Sequence, residues 1–333
     1  MFMKFYEMIF IMLLLMGTII AVSTSCWFTS WLGLELNLLM MIPLIINKFN
    51  SSSTESVIKY FLVQAMSSIL FIIFSLMNFM MMKTNFSMNM ENMIMIALIM
   101  KAGIPPLHFW FPQIMEYMEW AQCFIMLTWQ KIAPFMLLSF MFNKLMIFIM
   151  MTSVIIGTLG GFNQSSLKKI LTYSSIIHSG WMMAIIMNNM KIWMNYFLIY
   201  SIISFSIIWT INQTFFKNIK SIMNMKSNLF FKIIFSMNIF SLAGLPPFLG
   251  FLGKFMVVVH LLEVNFNLFI LTMLISSSLI GLFFYMKMMY SMLMISMNHM
   301  NFIFLTKKNN NSTMMITMTI FLNLIMPSFI LLT

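Results

Sequence analysis

Along most of this chain, apolar runs alternate with short clusters of Asn, Ser and Lys. A helix of roughly 20 apolar residues crosses the hydrocarbon core of a bilayer, and the polar clusters between the runs are the turns expected to face water. The breaks divide the chain into about eleven predicted spans. Their limits fall near residues 5–22, 25–46, 56–80, 92–115, 121–139, 144–161, 168–187, 192–214, 232–260, 265–286 and 312–332. The pattern predicts an all-α polytopic membrane protein, with residues 1–333 forming a single membrane domain. The first run, which follows Lys4 and ends at Ala21-Val22-Ser23, is long enough to span and is read as a retained helix, not a cleaved signal peptide.

Two of these spans are interrupted in the same way. The fourth carries Gly103-Ile104-Pro105-Pro106 and the ninth Gly244-Leu245-Pro246-Pro247. Proline removes a backbone donor and clashes with the preceding turn, so a break is predicted at each. Carbonyls freed by the break are tolerated in lipid only where protein buries them or where they line a wet cavity. The two are five spans apart, an odd spacing, so the broken helices should cross in opposite directions. That is the pattern of an inverted repeat, with five-helix units over about residues 1–140 and 144–290 and a C-terminal helix over about 312–332.

Composition agrees with this solvent. Hydrophobic residues make up 62% of the chain and charged residues 8%, with mean hydropathy +0.97, which leaves almost nothing to cover a water-soluble surface. The net charge of +11 does not point to nucleic acid, because the lysines sit singly between apolar runs. It reports orientation instead. With alternating spans, Lys4, Lys48, Lys59, Lys168, Lys169, Lys217, Lys220, Lys226, Lys232, Lys287, Lys307 and Lys308 share the side of the N-terminus, and only Lys83, Lys144 and Lys191 lie opposite. The positive-inside rule then places the N-terminus in the cytoplasm or, for an organelle, the matrix. All bases are Lys and all acids Glu, beside abundant Met, Phe, Ile and Asn, as expected of an AT-rich organellar gene. The same bias accounts for the scattered methionines better than copper ligation does. Cys26 and Cys123 lack metal-ligand spacing and are expected to be structural thiols. No phosphate loop, dinucleotide fingerprint, CxxC cluster or HExxH helix is present, so this chain is expected to hold no metal, nucleotide, flavin, haem or iron-sulfur centre.

The candidate chemistry lies in the remaining ionisable residues. A residue about ten positions into a span is roughly 15 Å deep, near the bilayer midplane. Glu35, Lys101, Lys131, His178 and Lys254 meet or approach this depth. In the proposed repeat Glu35 corresponds to His178 and Lys101 to Lys254, while Lys131 has only Ser276, Ser277 and Ser278 opposite it. Each charge at a helix centre costs roughly 2.5 to 3.5 kcal/mol on insertion scales, so these groups should face inward, toward each other and water. Burial disfavours a charged form and a neighbouring opposite charge favours it. A Glu–Lys pair of variable separation is therefore a proton switch, with Glu35 expected to modulate Lys101, and Lys131, His178 and Lys254 to continue a lateral relay. Structural alternatives stand beside this: Glu35 as a fixed ion-pair partner, His178 as a neutral ring bonded to a serine of a span. His108 follows the first break and is expected either to cap freed carbonyls or to join the relay. His260 and His299 lie near span ends, and Trp27, Trp31, Trp120 and Trp193 are expected in the interfacial aromatic belts.

Several stretches carry a family likeness. They are WLGLELN from Trp31, TESVIKYFLVQA from Thr54, MKAGIPPLHFWFP from Met100, TWQKIAP from Thr128, NQSSLKKILTYSSIIHSGWM from Asn163 and GLPPFLGFLGK from Gly244. In this order they resemble mitochondrial NADH dehydrogenase subunit 2, an antiporter-like membrane subunit of respiratory complex I. The resemblance implies that Glu35 is the functional glutamate paired with Lys101, that Lys131 is the central relay lysine, and that Lys254 is the lysine of the second broken helix. It implies a proton-translocating core subunit in the mitochondrial inner membrane, multi-pass, with its N-terminus in the matrix. NADH, FMN, iron-sulfur clusters and ubiquinone would be bound by other subunits. Its partners would be other complex I membrane subunits, including the neighbouring antiporter-like subunit 4 and the small subunit 4L, together with membrane lipids. Relative to the full antiporter-like fold the chain starts late, which leaves the repeat intact and a flank for partners to cover. Lys168, where many relatives carry Arg, departs mildly from the pattern. The residues alone leave two other readings open: a cation/proton antiporter subunit outside complex I, and a structural membrane scaffold in which the buried lysines would tolerate Met or Leu.

Overall fold

The computed structural model describes residues 5–46, 50–81, 87–141, 143–214 and 229–293. The predicted span at 312–332, His299 and the lysines at 4, 48, 83, 217, 220, 226, 307 and 308 lie outside the described residues. Within them the protein is helical: α1 (Phe5–Ser23), α2 (Trp27–Ile45), α3 (Ser51–Met81), α4 (Ser87–Ala102), α5 (Trp110–Tyr117), α6 (Trp120–Leu127), α7 (Trp129–Leu138), α8 (Lys144–Phe162), α9 (Leu167–Ile186), α10 (Met190–Thr214), α11 (Leu229–Ala243), α12 (Leu249–Glu263) and α13 (Leu268–Leu293). Seven described segments are long and apolar enough to cross a membrane: α1, α2, α3, α6 with α7, α8, α10 and α13. Many large apolar side chains are nevertheless exposed, such as Phe5, Met12, Phe79, Leu159 and Leu268. Such a surface suits hydrocarbon, not water. The chain is an integral multi-pass membrane protein.

It divides into two compact units, Met1–Ser153 and Val154–Thr333. In the first, α1 and α2 pack back to back because both carry glycine at the crossing. A Cβ on Gly33 would meet the Ala21 backbone nitrogen at 2.6 Å and the Gly17 carbonyl at 2.7 Å. Helices α3, α4, α5 and α7 complete this unit's core. In the second, α9 is the central helix. Every residue from Ser174 to Ile186 is buried, against α10, α12 and α13. Its hydroxyls make it too polar for lipid, and protein surrounds it instead.

Both interruptions are built by glycine. Gly103 (φ 68°) and Gly244 (φ 80°) take the left-handed conformation, which costs glycine nothing. At the first, Ile104 N–H donates to Ile99 O and Gly103 N–H to Met100 O. At the second, Leu245 N–H donates to Phe240 O and Gly244 N–H to Ser241 O. These paired bonds form the Schellman cap, in which the chain's own backbone satisfies the last carbonyls of the helix. The helices thus end at Ala102 and Ala243, ahead of the prolines. The expectation that proline makes the break is corrected: glycine ends the helix, and Pro105-Pro106 and Pro246-Pro247, both joined by cis bonds, stop it resuming.

The predicted span 121–139 holds a further interruption at Thr128 (φ −116°, ψ −73°), between α6 and α7. The Thr128 hydroxyl donates to Phe124 O at 2.7 Å, and Lys131 N–H reaches Thr128 O in a tightened turn. Side-chain bonding to the carbonyl one turn back bends a helix, and Pro134 a turn further on withholds another donor. Two of the predicted belt tryptophans are also corrected. Trp120 and Trp193 are buried, Trp193 stacking on Phe197, because each falls on the inward face of its helix.

Candidate functional site

In the first unit the polar groups gather around the end of α4. Lys101, one residue inside the Schellman cap, is 6% exposed. Its carbonyl accepts a bond from Gln64 Nε2 at 3.2 Å. Gln64 stands one turn below Tyr60 on the same face of α3. Lys101 lines a cavity of about 10 Å³ whose walls also include Asn37, Tyr60, Gln64, Gln130 and Pro134. That is about the room one water molecule occupies. Lys101 Nζ, Asn37 Oδ1 and Gln130 Nε2 have no hydrogen-bond partner among the described residues.

Glu35 lies on α2, partly buried, with its Oε2 likewise without a partner. Its charge acts on Lys101 and on Tyr60, yet no bond joins Glu35 to Lys101. The pairing expected from the sequence is therefore an interaction across a gap, not a contact. Lys131 on α7, 2% exposed, follows Gln130 of the cavity wall and sits 5.6 Å from the centre of the Phe111 ring. Phe111, the residue after Trp110 at the start of α5, also packs over Gly103, where an added Cβ would stand 3.2 Å from it. The second half of the interrupted helix thus touches the helix break on one side and the central lysine on the other. His108 turns toward the break, with Nδ1 3.3 Å from the Pro106 carbonyl.

The second unit arranges its groups differently. Lys254 lies on α12, after the break, and its amine donates at 2.8 Å to the carbonyl of Ala243, the last residue of α11. A Cβ on Gly244 would come within 2.9 Å of that amine, the movable end of a side chain, so it is the left-handed φ of 80° that disfavours any other residue there. The expected equivalence of Lys101 and Lys254 is corrected here. Counted from the two glycines, Lys101 corresponds to Leu242 and Lys254 to the exposed Gln113, so the lysines stand on opposite sides of their breaks.

His178 lies mid-way along α9, and its Nδ1 is 2.7 Å from the Tyr196 hydroxyl on α10. A tyrosine, which the sequence reading did not name, is thus a partner of the ring. The Tyr200 ring packs beside the imidazole at 4.9 Å between centroids. Tyr200 bonds Ser175, and Tyr285 of α13 bonds Ser174. Sequence reasoning missed the polar residues of both units. The spacing of Tyr60 with Gln64 and of Tyr196 with Tyr200, one helical turn apart within apolar runs, is the signal that was available.

A multi-pass helical protein that holds amines in apolar surroundings at interrupted helices belongs to a recognisable class of ion-handling membrane proteins. The particular family follows from comparison. Residues 24–281 match the model of the family described as NADH:quinone oxidoreductase/Mrp antiporter, TM, and the chain belongs to that family. It is 42% identical over 318 residues to NADH-ubiquinone oxidoreductase chain 2 of Anopheles gambiae, covering 93% of this chain and 92% of the mosquito protein. With the same-named protein of Aedes aegypti it shares 40% identity over 322 residues, 95% and 94% of the two chains. A chain of respiratory complex I from Thermus thermophilus is similar in fold, with a TM-score of 0.79 at 20% identity over 87% of this chain and 71% of that one.

Proposed function

We propose that this chain is a proton-translocating core subunit of respiratory complex I in the mitochondrial inner membrane, with its N-terminus in the matrix. The relatives that match nearly its whole length are named as chain 2 of NADH-ubiquinone oxidoreductase, which favours this reading over an antiporter outside that complex. NADH oxidation and ubiquinone reduction, with FMN and the iron-sulfur clusters, belong to other subunits. The neighbours are other membrane subunits, including antiporter-like subunit 4 and subunit 4L. Residues 1–140 and 144–290 are proposed as inverted copies of one five-helix unit within one membrane domain.

The observation that carries the reading is Lys101, buried at a polar cavity with its amine lacking a hydrogen-bond partner among the described residues, while the Glu35 charge acts on it from a distance. An ammonium in that position depends on Glu35 for its stability. Moving the carboxylate closer holds the proton on the amine; withdrawing it leaves the charge uncompensated, and the proton departs through solvent in the cavity. The Gln130 wall leads toward Lys131, and His178 and Lys254 carry the relay onward. Replacing Lys101 or Glu35 with Ala should leave the complex assembled on native gels and cut NADH-driven proton uptake in proteoliposomes by at least about tenfold. Normal uptake in either variant would remove the proposal. Rotenone-sensitive NADH oxidation by the purified complex containing this chain separates it from an antiporter outside complex I.

A further inference from the structure

The geometry points to Tyr196 as the positioning residue of His178, holding the imidazole in one orientation through every protonation state it passes through. This rests on the proposed place of His178 in the relay. His178 lies in the fully buried stretch of α9, where a polar ring keeps a hydrogen-bond partner or pays heavily for its loss. The partner at Nδ1 is a phenol at 2.7 Å. The neighbouring hydroxyls are committed elsewhere. Ser174 and Ser175 donate their protons to Leu171 O and Thr172 O, so in their bonds with Tyr285 and Tyr200 the serines accept and the tyrosines donate. The Tyr196 hydroxyl turns to the imidazole.

A phenol is both donor and acceptor. When the neutral ring carries its proton on Nε2, Tyr196 donates to Nδ1. When the ring is an imidazolium, or neutral with its proton on Nδ1, Nδ1–H donates to the Tyr196 oxygen. The bond survives in all of these states. A backbone carbonyl in its place would lose the bond whenever Nδ1 is bare. Tyr196 therefore keeps Nδ1 bonded and the ring oriented while a proton enters and leaves at Nε2.

The test uses the assembled complex in proteoliposomes, measuring proton uptake per complex in H2O and in D2O. Tyr196→Phe keeps the ring and removes the hydroxyl. It should slow uptake roughly tenfold, the scale seen when a partner orienting a functional histidine is lost, and enlarge the solvent isotope effect as proton transfer at His178 becomes the slow step. Tyr285→Phe removes a hydroxyl from the same cluster and should leave both quantities native. Native uptake and isotope effect in Tyr196→Phe overturn the inference, as does an equal loss in Tyr285→Phe. Should Tyr196→Phe not assemble, Tyr196→His supplies a ring that both donates and accepts, and an enlarged isotope effect there overturns the inference as well. His178→Phe keeps the two levels apart. If it slows uptake while Tyr196→Phe does not, only the positioning role fails; if it pumps normally, the relay through His178 fails with it.

Discussion

At the first interruption a neutral amide from another helix, Gln64, holds the Lys101 carbonyl, and Lys101 lines a cavity. At the second, the lysine on the far side of the break reaches back and bonds the Ala243 carbonyl with its own amine. The backbones end alike, in a Schellman cap at a left-handed glycine, so the difference lies in which carbonyl a side chain closes, two residues before the glycine at the first break and one before it at the second. A neutral hydrogen bond contributes about 0.5–1.5 kcal/mol and one to a charged group about 1.5–3. Lys101 can therefore change its protonation state without disturbing the end of its helix. At Lys254 the same change has a cost: a neutral amine still donates to the Ala243 carbonyl, but without its charge the bond is weaker, which loosens the join between α11 and α12. The halves are also spaced differently. Residues 103–109 separate α4 from α5, whereas residues 244–248 separate α11 from α12, and there Gly250 lies against the Ser241 carbonyl.

The largest effect should come from that crossing. A Cβ on Gly250 would fall on the Ser241 carbonyl, and backbone cannot step aside as a flexible side chain can. Gly250→Ala should prevent the complex from assembling on native gels. Gly253→Ala, one turn away and no nearer than 3.4 Å to Tyr196, should assemble normally. Assembly of Gly250→Ala at the native level would mean that the second break is as loosely joined as the first.

Next comes the exchange of each lysine for methionine. Both variants should lose proton uptake, but their stabilities should move in opposite directions. Lys254→Met removes the charged cap and should cost about 1.5–3 kcal/mol, lowering the temperature at which the assembled complex comes apart. Lys101→Met replaces an unpartnered amine with an apolar chain of similar length, so it should be neutral or stabilising. Equal destabilisation by the two would erase the distinction between a capping and a cavity-lining lysine.

Much of this was legible in the chain. The apolar runs gave the spans within a few residues, since hydrocarbon thickness fixes helix length. Gly103 and Gly244 marked both breaks. The geometry at each break was not legible, because a motif of glycine and prolines does not say which side chain will reach the last carbonyl. Lys254 and Lys101 look equivalent as lysines on broken helices, and only their register against the glycine separates them. Tyr60, Gln64, Tyr196 and Tyr200 were overlooked because they are neutral and carry no insertion cost large enough to stand out in an apolar run. The bend at Thr128 was hidden for a related reason: threonine satisfies its hydroxyl on its own helix, and nothing in the run announces it.

A smaller effect is expected at Gln64. Gln64→Leu leaves the Lys101 carbonyl without its partner, at a cost of about 1 kcal/mol. Uptake should slow by a few-fold as the cavity wall shifts, well short of the loss in Lys101→Met. A loss as complete as that one would make Gln64 part of the relay, not a clamp on the helix end.

The smallest should be at His108. Its contact with the Pro106 carbonyl, at 3.3 Å, lies beyond the usual hydrogen-bond range, and its ring packs at 4.5 Å on Phe109, itself exposed. His108→Phe keeps that stacking and removes the ring nitrogens. If the histidine only dresses the break, the variant should assemble normally and pump within about twofold of the native rate, as expected for a contact worth under about 1 kcal/mol. If uptake instead falls as far as in Lys101→Met, then the first interruption carries a titrating group after its break just as the second does with Lys254. The two halves would then differ in the residue chosen, not in the side of the break from which the proton is handled.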